Sequence, residues 1–116
     1  MNLAQRAWEE TMIIAFVIWS AVSVIFFIIG ISTWKAKETV GFFTFVNPPK
    51  VKDTKQYNHA VAKIWFTVAF VFEILGIPFL GSEQNSPLII FIILGVVILV
   101  ITMMITYTRV EAKYKL

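Results

Sequence analysis

Apolar positions along the chain gather into three long runs separated by polar stretches. Residues 11–31 and 88–107 contain no charged side chain, and residues 61–80 contain only Lys63 and Glu73. At a rise of ~1.5 Å per residue, runs of about 20 residues match a hydrocarbon core ~30 Å thick. The pattern therefore predicts an all-α integral membrane protein with three transmembrane helices. Residues 32–58 form the long polar loop, and residues 81–86 form a short link that makes spans two and three an antiparallel hairpin.

Local signals place the helix ends. Asn2 followed by Gln5, and Asp53 followed by Gln56, have capping-box spacing. The first predicts a helix that starts before span one. The second predicts a start near Thr54, about two turns before the membrane part of span two. Asn47, Pro48 and Pro49 are a turn signal. Pro78 is expected to end span two, because proline lacks a backbone donor and crowds the preceding turn. Ser86 and Pro87 read as an N-cap and first helical position. Span one is read as a retained helix and not a signal peptide. Its apolar run is long, its lead sets Arg6 against Glu9 and Glu10, and no small-x-small cleavage site follows.

Composition agrees with this reading. The 116 residues are 59% hydrophobic and 15% charged, with a mean hydropathy of +0.81. Soluble domains are ~45–50% apolar and ~25% charged. One membrane domain is expected, without a soluble module. The net charge of +3 would suit nucleic acid, but the bases flank membrane spans, where anionic lipid is the nearer partner. Of the ten bases, nine lie in or beside the middle loop and the C-terminal tail, and Arg6 alone lies on the other side. The positive-inside rule places that loop and the C-terminus in the cytoplasm and the N-terminus outside. Within the loop, Lys50, Lys52 and Lys55 are candidate contacts to anionic lipid.

The most expensive residue is Glu73. Eleven Ile, Leu, Val and Phe residues between positions 64 and 80 contribute roughly −3 to −7 kcal/mol to insertion, against roughly +2.5 to +3.5 for a central acid. Insertion is tolerated, but an acid facing lipid would waste that margin. Ala62, Ala69, Glu73 and Gly76 share one helical face of small residues, so Glu73 is expected to point into the bundle. At ~1.5 Å per residue it lies ~10 Å from the outer end of its span, level with Trp19 and Ser20 in span one and Gly95 in span three. A polar contact from Glu73 to Trp19 or Ser20 follows as the candidate intramembrane site. Ser20, Ser23 and Gly30 form a small face on span one of the kind that lets helices approach closely in lipid.

Other chemistry is sparse. With no cysteine there is no disulfide framework and no thiolate site. His59, the only histidine, reads as a solvated helix-end residue. Asp53, Glu38 and His59 lack metal-ligand spacing. No serine, threonine or lysine has an activating partner, so no catalytic residue, metal or cofactor is expected.

The polar loop carries the most specific pattern. Val40, Gly41, Phe42 and Phe43 are followed by Pro48 and Pro49, then by Tyr57, Asn58 and Ala60, then by Lys63 and Trp65. In this order and spacing the chain resembles a domain-of-unknown-function family of small three-span membrane proteins, mainly from Gram-positive bacteria. The resemblance covers roughly residues 12–80. It implies a bacterial multi-pass protein of the cell membrane and brings no assigned activity. A looser likeness is to bacterial toxin-immunity membrane proteins, although the Arg-Thr motif that follows their loop glycine is missing here. The leading expectation is a non-enzymatic protein that packs against itself or another membrane protein and presents its basic, aromatic loop for recognition, in an envelope or toxin-immunity role. The alternative is an oligomeric transporter or channel subunit that uses Glu73 as a proton or cation site. No nucleic-acid partner is expected.

Overall fold

The structure is a computed structural model that describes residues 2–40, 50–80 and 87–116. Three α-helices, α1 (Leu3–Lys35), α2 (Thr54–Gly76) and α3 (Leu88–Tyr114), account for nearly all of it. All three are long and apolar enough to cross a membrane. The molecule is a rod of 61 × 22 × 21 Å, about twice the length of a ~30 Å hydrocarbon core. The helices accordingly run past the apolar stretches. α1 begins eight residues before position 11 and α3 continues seven residues beyond position 107. Backbone hydrogen bonding continues into polar sequence because nothing in Thr108–Tyr114 or Leu3–Glu10 breaks a helix.

The helix ends follow their local chemistry. Asn2 Oδ1 accepts from the Gln5 amide at 2.7 Å, and Asp53 Oδ1 accepts from the Gln56 amide at 3.0 Å. Each satisfies a donor that the first turn leaves free. α2 stops at Gly76, where the chain tightens into a 3-10 turn (Ile77–Leu80) that contains Pro78. Proline has no N–H to continue the α ladder, and a tighter turn still bonds the Ile77 amide to the Ile74 carbonyl. α3 starts directly after Pro87; Ser86 lies outside the described residues.

α2 is the central helix. In its most apolar 18-residue window 39% is buried, against 11% for α1 and 6% for α3. No Cα of α1 approaches one of α3 within 8 Å among the described residues. The sequence of α2 supports two seams at once. Asn58, Ala62, Trp65, Ala69, Phe72 and Gly76 recur in steps of four and three; the last four meet α1, and Asn58 meets the chain that leaves it. Tyr57, Val61, Ile64, Val68 and Leu75 form the adjacent stripe; Tyr57 and Leu75 meet α3 directly. This alternation keeps a contact line on the same side of two long helices.

Small residues set the helix separation. A Cβ on Gly30 would lie 2.6 Å from Phe66, and one on Gly95 would lie 2.8 Å from Leu75. In lipid, where apolar burial drives no association, such close approach supplies the dispersion contacts. Aromatic rings fill the rest of the α1–α2 seam: Trp19 stacks on Phe72 at 4.0 Å, and Phe26 meets both Phe72 and Trp65. Exposed threonine hydroxyls at Thr67 and Thr106 donate to carbonyls four residues earlier, so neither depends on water for a partner.

Candidate functional site

Two polar constellations stand out, one midway along the α1–α2 seam and one at the lysine-rich end. In the first, α1 places three side-chain donors against α2. The Trp19 indole N–H donates to the Phe72 carbonyl at 2.5 Å. Ser20 Oγ donates to Glu73 Oε1 at 2.8 Å, and Ser23 Oγ donates to the Ala69 carbonyl at 2.6 Å. The carboxyl and Ser20 thus meet at the matched depth. Trp19 lies at the same level but bonds the backbone of α2 and not the acid. The reason is steric: Gly76 leaves a hole that the indole fills, and this directs its N–H to the neighbouring carbonyl.

The direction of Glu73 differs from the sequence expectation in one respect. It is half-buried on the α1–α2 seam and does not reach α3; Gly95 receives Leu75 instead. The side chain lines a groove of about 480 Å³ whose walls come wholly from α1 and α2. Apart from Glu73, Ser20 and Ser23, that wall is apolar and largely aromatic, with Phe27, Phe66 and Phe70 prominent. Glu73 faces this lateral groove because α2 presents two seams roughly 100° apart, and the acid falls on the outer flank of the α1 seam.

At the other constellation, Asn58 is fully buried and uses both ends of its amide. Oδ1 accepts from the Val40 amide at 3.1 Å, and Nδ2 donates to the Glu38 carbonyl at 2.8 Å and the Ala36 carbonyl at 3.3 Å. One side chain on α2 therefore fixes the chain that leaves α1. Thr39 and Thr54 add a hydroxyl contact at 3.2 Å. Tyr57, also fully buried, shares a hydrogen bond of 2.8 Å with Tyr107 of α3. The tail then closes over the end: the Lys52 amide bonds the Tyr114 carbonyl, the Leu116 amide bonds the Lys50 carbonyl, and Val51 bridges Lys115. Lys50, Lys52 and Lys55 remain exposed around this knot. Gly41, Phe42, Phe43, Pro48 and Pro49 lie outside the described residues.

Burial, and then the Tyr107 hydroxyl, hold the Tyr57 phenol above its ordinary range. A phenol kept neutral by the fold stabilises it below ~10, where the unfolded phenol is neutral too, and loses that contribution as pH rises further. Tyr57→Phe and Tyr107→Phe each remove the same hydrogen bond and are each expected to cost about 1 kcal/mol. Unfolding of the double variant should cost clearly less than the sum of the singles, because the shared bond is lost only once.

His59 differs from its expected solvated position. It is half-buried, and its ring stacks on Trp34 at 3.7 Å, nearly parallel. The last turn of α1 and the first turns of α2 bring the two together. Among the described residues no group of three or more His, Cys, Asp or Glu side chains converges as a metal site would require. No buried side-chain nitrogen or oxygen among them lacks a hydrogen-bond partner.

Asn58 and Tyr57 belong to the loop pattern in the sequence, but their partners did not stand out there. Asn58 has a signal in hindsight: it occupies the α1-facing stripe of α2, where an amide must find partners on the chain opposite. The pairing of the tail with residues 50–52 has none, since both segments are short and lack alternation. The chain matches no family model, no curated protein and no solved structure.

Proposed function

We propose that this chain is a non-enzymatic multi-pass protein of a bacterial cell membrane, with its C-terminus in the cytoplasm, that works by binding another membrane protein or a second copy of itself. The loop pattern's resemblance to small three-span proteins of Gram-positive bacteria belongs to this reading, as does an envelope or toxin-immunity role. The observation that carries it is the buried Asn58 amide, which ties residues 36–40 to the first turns of α2 through three hydrogen bonds. A chain end held this firmly, closed by the tail and ringed by Lys50, Lys52 and Lys55, is a preformed surface. Preformed surfaces bind with less ordering cost than flexible ones. The same lysines suit an anionic leaflet, at about 1 kcal/mol each.

Photo-cross-linking from positions 52 and 55 in the native membrane tests this. A discrete protein adduct that disappears with Asn58→Ala is expected. Adducts to lipid alone would remove protein recognition from the reading and leave only the lipid contact.

A second reading has its own observation. Glu73 accepts from Ser20 through one carboxyl oxygen and also lines an open groove, which suits a proton or cation site in an oligomeric transporter. Cation or proton flux in liposomes that is abolished by Glu73→Gln would favour it over the first.

A further inference from the structure

The groove between α1 and α2 has a chemical bias that follows from its hydrogen bonds. Every side-chain donor on its polar floor is engaged: the Ser20 hydroxyl on Glu73 Oε1, and the Ser23 hydroxyl on the Ala69 carbonyl. What the floor still offers is acceptors, namely the second carboxyl oxygen of Glu73 and the remaining lone pairs of the two serines. With Glu73 ionised, an anion or a pure acceptor finds nothing to bond there. A cation finds a carboxylate, and around it the rings of Phe27, Phe66 and Phe70. Aromatic faces attract cations by their quadrupole, more strongly when water is excluded.

Size and access agree. The volume of about 480 Å³ lies within the ~300–1,000 Å³ range of small-molecule sites. The rim is apolar and exposed: Phe70 is 70% and Val24 56% accessible. In a bilayer that opening faces the acyl chains, so a ligand enters sideways from lipid.

From this geometry we infer that the α1–α2 groove binds a lipophilic cation, an apolar or aromatic body carrying a delocalised or quaternary positive charge, with Glu73 as its counter-ion. The inference rests on the cation reading of Glu73 but not on transport. Binding without flux would sink the transporter reading and leave this one standing.

The test uses the full chain in nanodiscs and two probes of nearly the same shape and opposite charge, tetraphenylphosphonium and tetraphenylborate. Saturable binding of tetraphenylphosphonium is expected, with tetraphenylborate at the level of empty nanodiscs. Glu73→Gln should weaken cation binding at least tenfold. Val24→Trp, which fills the groove from its lipid-facing rim and leaves Glu73 in place, should weaken it comparably while helicity by circular dichroism stays unchanged. Equal binding of both probes, or cation binding indifferent to both substitutions, overturns the inference. So does a groove closed by a second copy. Because the chain has no cysteine, Phe70→Cys reports that directly: efficient disulfide cross-linking between two copies, together with no cation binding to the unmodified chain, assigns the groove to a dimer contact.

Discussion

Asn58→Ala is expected to lower the stability of the folded chain by roughly 3 kcal/mol. The asparagine is fully buried and serves three backbone groups at once. A buried donor or acceptor left without a partner costs ~1–3 kcal/mol. Val40 and Ala36 are only half-buried and Glu38 is exposed, so water relieves part of that cost and the total falls short of three full penalties. The loss should be local before it is global, since the freed groups belong to the chain leaving α1. Limited proteolysis around residues 36–40 should accelerate more than cleavage elsewhere, and denaturant unfolding in detergent should report the full difference. Asn58→Asp is a sharper probe. It keeps the acceptor for the Val40 amide but turns an oxygen toward the Glu38 and Ala36 carbonyls, where Nδ2 donated. It should destabilise at least as much as alanine, although it preserves size and polarity. If Asn58→Asp is neutral, the amide is not holding those carbonyls.

Gly76→Ala should be the most disruptive methyl group added at a helix glycine. A Cβ there would lie 2.6 Å from Trp19 Nε1 and 2.9 Å from Cγ, well inside contact distance. The indole cannot yield in place, because it is stacked on Phe72, meets Phe79 edge-on, and donates to the Phe72 carbonyl. Overpacking of this kind costs ~1–3 kcal/mol, and a lost hydrogen bond adds about 1. A loss of roughly 2–4 kcal/mol is expected, read as a lower thermal midpoint in detergent and a shift of Trp emission as the ring leaves the seam. Trp19→Phe should recover much of the loss in the Gly76→Ala background, since the smaller ring vacates the space the methyl needs. If Gly76→Ala cost as much in the Trp19→Phe background as it does beside the native indole, the close approach would not be what the glycine serves.

These two sites show how unevenly the sequence disclosed its own structure. Three apolar runs, two capping boxes and Pro78 are local signals, and each maps onto a helix or a helix end. Such features depend on residues a few positions apart, so the sequence states them directly. The matched level of Ser20 and Glu73 was also legible, because apolar runs long enough to cross a membrane turn residue counts along antiparallel helices into height. In a soluble protein the same count would carry no such information.

What the sequence could not decide was direction around each helix and pairing across the polar loop. The small-residue stripe pointed Glu73 into the bundle. Whether that side closes on α3 or stays open depends on where α3 docks, which Leu75, Gly95 and the Tyr57–Tyr107 bond jointly fix. Trp19 and Ser20 were equal candidates until the space above Gly76 assigned the indole to a carbonyl. By itself, then, the sequence determined three apolar helices and the level of the acid, because helix periodicity and the length of an apolar run are local properties. Tertiary structure alone decided that the acid lines a lateral groove and that Asn58 and the tail lock the basic end, because both depend on contacts between residues far apart in the chain.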